Sequence, residues 1–208
     1  EPTYDRDSWT FWSAPYDLAD GSGTPVVSVS PRKYFQFKVD VIPADDSGGE
    51  LDFLEFRASH PLASNLIGEV SPSRAEVAKS SPFTYYLRPT ITENASGFDG
   101  LDMTTSSIIN SVHAVRIDGE DWPFEVKPLD MDGDELPGFP ANRFELAFAD
   151  TKLVAADSGT PIEIDFDARV LRSGAPFDVR VLDTAQPLVV RQKVGAGDAN
   201  SLIEGNSI

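Results

Sequence analysis

The chain contains no cysteine. Disulfides, zinc–thiolate sites, iron–sulfur clusters and thiol catalysis are therefore excluded. Histidine is nearly as scarce, with two residues. His60 precedes a proline in a loop, and His113 sits in the strand-like "SVHAVRI", on the face shared by Val115 and Ile117. No stretch approaches the ~20 apolar residues that cross a bilayer as a helix. There is no glycine-rich phosphate loop and no HExxH helix. Basic residues are outnumbered, 17 against 34 acidic, which gives a formal net charge of −17. A surface of that sign repels phosphate backbones and anionic lipid, so neither nucleic acid nor membrane insertion is expected. The first residue is Glu1 rather than Met, so a processed chain or a piece of a longer one is expected.

What the chain does have is apolar content and strand periodicity. Of its 208 residues 40% are hydrophobic, with 13 phenylalanines, enough to build a core. In "PIEIDFDARV" Ile162, Ile164, Phe166, Ala168 and Val170 share one face, and Glu163, Asp165, Asp167 and Arg169 the other. That is a strand with one dry and one wet side, as in antiparallel sheets. "YFQFKVDV" sets Phe35, Phe37, Val39 and Val41 against Tyr34, Gln36, Lys38 and Asp40, and "FDVRVL" repeats the pattern with Phe177, Val179 and Val181. Asp118-Gly119 lies between two such runs and supplies the positive φ angles of a tight hairpin. One or two helical turns are expected at 73–79, and no long helix anywhere.

Residues 34–59 resemble residues 143–169: an aromatic-rich strand, an acidic linker ending in Asp-Ser-Gly, then an apolar/acidic strand. The offset is about the size of one small β-sandwich. The expected fold is thus all-β, two antiparallel β-sandwich domains in tandem, immunoglobulin-like or jelly-roll-like. Their expected limits are 1–94 and 95–194, followed by a tail, 195–208. Strands are expected near 9–12, 26–29, 34–42, 51–58, 66–70 and 83–92 in the first. The second is expected to hold strands near 98–103, 109–117, 122–127, 143–149, 162–170, 177–182 and 188–194.

Three stretches invite a functional interpretation. In "DMDGDELPGF", Asp130, Asp132 and Asp134 occupy the first three ligand positions of a helix–loop–helix calcium site, and Glu135 adds a fourth carboxylate. The match then fails, since Gly133 comes early and the twelfth position is Ala141. The stretch is either a calcium loop, with calcium as the candidate cofactor, or a solvated connection between strands. In "SWTFWSAPY", Trp9, Trp12 and Tyr16, together with Phe11, either offer a platform for sugar rings, or Trp9 and Phe11 alternate into the core of an N-terminal strand. In the tail, Leu202, Ile203 and Ile208 follow a glycine hinge and either pair with a neighbouring subunit or dock on their own domain. No spacing suggests a Ser-His-Asp set, and no carboxylate pair stands out among 34 acids.

"SPRKYFQFKVDV", "GFDGLDM", "VHAVRIDG" and "IEIDFDARVLRSGAPFDVRVLDTAQPLVVRQKVGAGDAN" resemble segments of large uncharacterised secreted bacterial proteins. Those proteins carry such β-sandwich modules ahead of a C-terminal immunoglobulin-like sorting domain; no such domain is read in these 208 residues, so either a fragment or a shorter relative is expected. The resemblance implies a periplasmic or extracellular module and brings no catalytic residues with it. The chain accordingly reads as a non-catalytic structural or assembly module, a surface, filament or accessory subunit acting through sheet edges and terminal strands. Its expected partners are other protein subunits or copies of itself. The alternative is a carbohydrate-binding module, calcium-supported, with glycans as partners.

Overall fold

The structure, a computed structural model, describes residues 11–16, 24, 26, 34–39, 52–56, 59–172, 174–187 and 189–200. Among the described residues ten strands are present: β1 (Asn65–Ser71), β2 (Ser80–Thr90), β3 (Gly100–Ile117), β4 (Glu120–Asp121), β5 (Phe124–Leu129), β6 (Ala141–Phe148), β7 (Ile162–Arg169), β8 (Phe177–Leu182), β9 (Gln192–Lys193) and β10 (Gly195–Ala196). A 3-10 turn at Ala155–Asp157 interrupts the β6–β7 connection, and no α-helix occurs among the described residues.

The 18-residue β3 organises everything else. Its first half pairs with β6 on one side and β8 on the other. Its second half pairs with β7, which continues through β2 and β1 to β10. One strand thus serves two layers, β5-β6-β3-β8-β9 and β10-β1-β2-β7-β3. All pairings are antiparallel except β1 with β10. The change of layer falls in "TTSSI", where the β6 register slips between Thr104 and Ile109. Small hydroxyl side chains suit this corner. Thr105 Oγ1 donates to the Pro176 carbonyl (2.7 Å) and accepts from the Ser107 N–H (3.1 Å).

The two layers share one core. Phe83, Tyr85 and Leu87 from β2 and Ile162, Ile164, Phe166 and Ala168 from β7 meet Leu101, Met103, Phe144, Leu146, Val179 and Val181 from the opposite layer. The Phe177 ring of β8 lies 5.5 Å from Phe166 and 5.8 Å from Phe83, so aromatic contacts cross between layers with no backbone pairing between them. On β7 the alternation runs as its periodicity predicts, with Ile162, Ile164, Phe166 and Ala168 buried. The Asp118-Gly119 hairpin is also present, with φ of 55° and 79° and Ile117 paired to Glu120.

The expected tandem division is corrected by this pairing. β2 lies before residue 95 and β7 after it, yet the two are hydrogen-bonded neighbours from Ser80↔Arg169 to Leu87↔Ile162. A boundary at 94/95 would cut a sheet and its core. The expected strands at 98–103 and 109–117 are one continuous strand, because the corner bends the backbone without breaking it. The described residues of the expected strands at 34–42 and 51–58 lie in no strand, and the same holds for 11–12. Residues 73–79 turn without forming a helix. The described part of the expected tail, 195–200, is docked, as is the stretch just before it. The Gln192 side-chain amide donates to the Ala63 carbonyl (2.7 Å) and accepts from its N–H (3.1 Å), β10 pairs with β1, and the Asn200 N–H donates to Glu69 (2.6 Å).

Candidate functional site

The outward face of the β2-β7-β3 layer carries its most concentrated polar chemistry. Arg116 on β3 sits opposite Glu163 on β7 and donates to Glu163 (Nε, 3.0 Å) and to Asp165 (Nη1, 2.7 Å). Asp165 also accepts from Thr84 Oγ1 on β2 (2.6 Å). Burial alone would raise the Asp165 pKa, but the hydrogen bonds from Arg116 and Thr84, with the charges of Arg116 and His113, hold it below the usual carboxylate range. The bonds to Asp165 and then Glu163 in turn hold Arg116 more firmly charged, against the opposing effect of burial. A shallow hollow of about 460 Å³ lies here, lined in part by Ser71, Pro72, Pro82, Thr84, His113 and Arg116. Its guanidinium is committed to two carboxylates, so it does not offer an open anion site.

His113 does not share the face of Val115 and Ile117, and the reason is local. The β3–β7 register slips twice, between Ile109 and Ser111 and again between Val112 and Ala114. Two bulges leave Asn110 and His113 as extra residues, which keeps Ile109, Val112, Val115 and Ile117 opposite the inward residues of β7 and turns the imidazole outward. His113 Nε2 then lies 3.1 Å from Asp167 Oδ2 and 3.3 Å from Ser111 Oγ. A serine, a histidine and an aspartate are thus gathered where their spacing gave no hint of it. Both partners use the same ring nitrogen, whereas a nucleophile relay needs one on each. The group is a polar cluster on a wet face, not a catalytic triad.

The opposite layer has a counterpart. Asp102, buried between Leu101 and Met103 along β3, accepts from Arg143 Nε (3.0 Å) and Nη2 (2.8 Å), a two-point clamp. Arg191 bridges Asp102 to Glu145. A third pair, Lys152 and the buried Asp183 (2.7 Å), closes one end, where Asp183 also accepts from Gln186 Nε2 (2.6 Å) and the Ala185 N–H (3.2 Å). Burial pushes the Asp183 pKa up, but the Lys152 and Gln186 bonds and the Lys152 charge outweigh it and hold the carboxyl low. A carboxylate flanked by apolar strand residues signals in sequence that a cation is needed. The partners of Asp102 lie 41 and 89 residues away, so sequence could not name them.

The acidic turn hangs beside this second network, with Asp130 adding to the field at Arg143. Asp130 Oδ1 accepts from the N–H groups of Asp132 (2.9 Å), Gly133 (2.8 Å) and Asp134 (2.9 Å). Gly133, at φ 98°, lets the chain fold back over that oxygen. The turn is thus closed by its own first carboxylate. Among the described residues no three His, Cys, Asp or Glu side chains form a group able to hold a metal, so Asp132, Asp134 and Glu135 are not gathered with Asp130 around one point.

Of the aromatic candidates, Trp12 is exposed and Tyr16 half-buried, while Trp9 lies outside the described residues. Phe11 is exposed rather than feeding a core. Leu202, Ile203 and Ile208 lie outside the described residues. Large apolar side chains that are 41–79% exposed are concentrated ahead of the sandwich: Phe11, Trp12, Tyr34, Phe35, Phe37, Val39, Phe53 and Phe56 among them. The Phe56 ring meets Phe35 at 5.1 Å and Phe37 at 4.8 Å, which draws 34–39 and 52–56 together. No described helix is long and apolar enough to cross a membrane.

No protein-family model matches the chain, and no curated relative does. Three solved structures show partial likeness. The Corynebacterium diphtheriae major pilin SpaA, described as a modular pilus assembly with stabilizing isopeptide bonds, is 16% identical with a TM-score of 0.35, over 65% of this chain and 35% of the pilin. A DUF4466 family protein from Parabacteroides merdae is 12% identical with a TM-score of 0.32, over 64% of this chain and 44% of its own. A conjugate transposon protein from Bacteroides vulgatus is 12% identical with a TM-score of 0.27, over 69% and 88%. The chain spans less than half the length of the first two. Likeness at this level does not transfer a role.

Proposed function

We propose that the chain is a non-catalytic, extracellular structural module that joins proteins into a larger assembly. One observation carries this: the described charge clusters are spent on each other, while the exposed aromatic surface is concentrated ahead of the sandwich. Arg116, Arg143, Arg191 and Lys152 each hold a carboxylate within the same sandwich. Such pairs fasten strands together and present no reactive group. The exposed rings of 11–56 are the kind of surface that marks a protein–protein contact.

The sandwich edges narrow how assembly works. β5 carries Pro128 and the exposed Glu125 and Lys127, devices that blunt an edge. The β3 edge is disrupted by its bulges, and the outer edge of β1 is occupied by the chain's own β10. Contact through the aromatic stretch is therefore favoured over strand addition to the sandwich. Sedimentation of envelope and medium fractions from the producing cells tests the proposal, with an antibody raised against the sandwich as probe. Recovery with pelletable surface material is expected; recovery solely as freely soluble chain in clarified medium overturns it.

A further inference from the structure

Asn94-Ala95-Ser96 is the chain's one Asn-X-Ser/Thr triplet, since no other asparagine has a serine or threonine two residues on. Such a triplet accepts an N-linked glycan where it lies on the surface of an exported chain. The structure places it in the β2–β3 connection. The Ala95 N–H donates to the Thr92 carbonyl (2.9 Å), which closes a turn with Asn94 at its third position. The chain is pinned just beyond, where the Ser96 N–H donates to the Pro61 carbonyl (2.9 Å) and the Gly97 N–H to that of Leu62 (3.0 Å). Thr92, Glu93 and Asn94 are all exposed.

Two further observations set Asn94 apart. Asn110 Nδ2 donates to Ser80 Oγ (2.7 Å) and Asn142 Nδ2 to the Ser107 carbonyl, so those amides fasten the sandwich. The Asn94 amide has no such partner among the described residues. Beside it lies a shallow hollow of about 600 Å³, lined by Ile91, Thr92, Glu93, Asn94, Ala155 and Ala156. The hollow lies between the 92–95 turn and the 3-10 turn at Ala155–Asp157, which are tied together by the Ile91 N–H to Ser158 Oγ bond (2.9 Å). Two alanines are too short to fill it. Small apolar residues beside a hydroxyl and a carboxylate suit a sugar ring, which has a C–H face and a polar rim.

We propose that Asn94 is a glycan attachment site, its Nδ2 bonded to the anomeric carbon of a sugar. This rests on the extracellular placement above, because the modification belongs to exported chains. The donor is a glycan carried on a lipid diphosphate, and a glycan transferase of the producing cell is the catalyst. The C–O bond to the diphosphate breaks, the diphosphate leaves with the electron pair, and the amide gives up one proton as the C–N bond forms.

The test is mass spectrometry of the native chain, captured from the producing cells with the sandwich antibody, and of variants made in the same cells. The tryptic peptide 80–116, uncut at Arg88 because Pro89 follows it, should be heavier by a glycan that fragmentation places on Asn94. Asn65, exposed but followed by Leu66 and Ile67, should stay bare. Asn94→Gln should lose the glycan, and so should Ser96→Ala, which keeps the amide. Ser96→Thr should retain it, since either hydroxyl residue completes the triplet. All three variants should melt with the wild type when made in a host without glycan transfer, because Ser96 Oγ makes only a long bond to the Pro61 carbonyl (3.4 Å) and the Asn94 amide none. A native peptide found only bare overturns the proposal, and so does a glycan that survives Ser96→Ala. A bare Asn94 in pelletable native material would remove the glycan and keep the assembly role; a glycosylated chain recovered solely in clarified medium would do the reverse.

Discussion

Replacing Phe83 with alanine separates one shared core from two tandem ones. Phe83 is on β2, inside the region that a boundary at 94/95 would assign to a first domain. Its ring is buried, stacks on Phe166 at 5.8 Å and meets Phe177 of the opposite layer at 5.8 Å. Truncating a buried phenylalanine costs about 3–5 kcal/mol, from lost transfer energy and the cavity left behind. In a sandwich of roughly 140 residues, about 1 kcal/mol lowers Tm by ~3 °C, so a fall of about 10 °C is expected. Differential scanning calorimetry is the assay. The wild-type sandwich should melt in one transition, with an enthalpy on the order of 100 kcal/mol at its midpoint. Phe83→Ala should move that transition as a whole, and Phe177→Ala, on β8, should move the same one. Two transitions, with Phe83→Ala shifting only one and Phe177→Ala only the other, would refute the shared core.

Further expectations follow from particular contacts. A Cβ on Gly68 would lie 2.2 Å from the Tyr85 hydroxyl and 2.9 Å from Val194 Cγ1, so Gly68→Ala should destabilise by about 1–3 kcal/mol. Adding Tyr85→Phe, which removes that oxygen, should recover part of the loss in a melting experiment. The Asp183 carboxyl titrates below its usual value in the folded chain, so its contribution is complete above about pH 4 and is lost as pH falls through the folded pKa. Melting curves between neutral pH and pH 2.5 should therefore fall more steeply for the wild type than for Asp183→Asn; equal slopes would count against the pairing with Lys152. Asp130→Ala releases three N–H groups and should cost about 1–2 kcal/mol, as for a lost capping side chain, equally in EDTA and in millimolar calcium. A cost seen only with calcium present would assign an ion to the turn instead.

The candidate sites were only partly legible in sequence. The acidic run 130–135 was visible as a cluster, but spacing alone does not show that its first carboxylate turns onto three N–H groups of its own loop. Counting alternate residues puts His113 on the inward face, and two bulges turn it outward. Bulges are set by which strand lies alongside, and that strand, β7, comes about 50 residues later. The Arg116 and Asp102 clusters are illegible in sequence for the same reason, since their partners are far along the chain.

Alternation is a local property, fixed by the pleat of the backbone, and so the sequence by itself determined the all-β class and the inward and outward faces of β7. It also determined the Asp118-Gly119 hairpin, whose two residues tolerate the positive φ that a two-residue turn demands. Which strands are neighbours is a non-local matter. Nothing in "GLDMTTSSIINSVHAVRI" announces that its halves belong to different layers, because each half alternates well enough alone. Only the tertiary structure decided that β3 turns the corner of one sandwich, that β2 lies against β7 across residue 95, and that the aromatic strand-like run at 34–39 stays outside the core it resembles. A strand's apolar face needs a covering layer, and its own sequence does not say which layer comes to cover it.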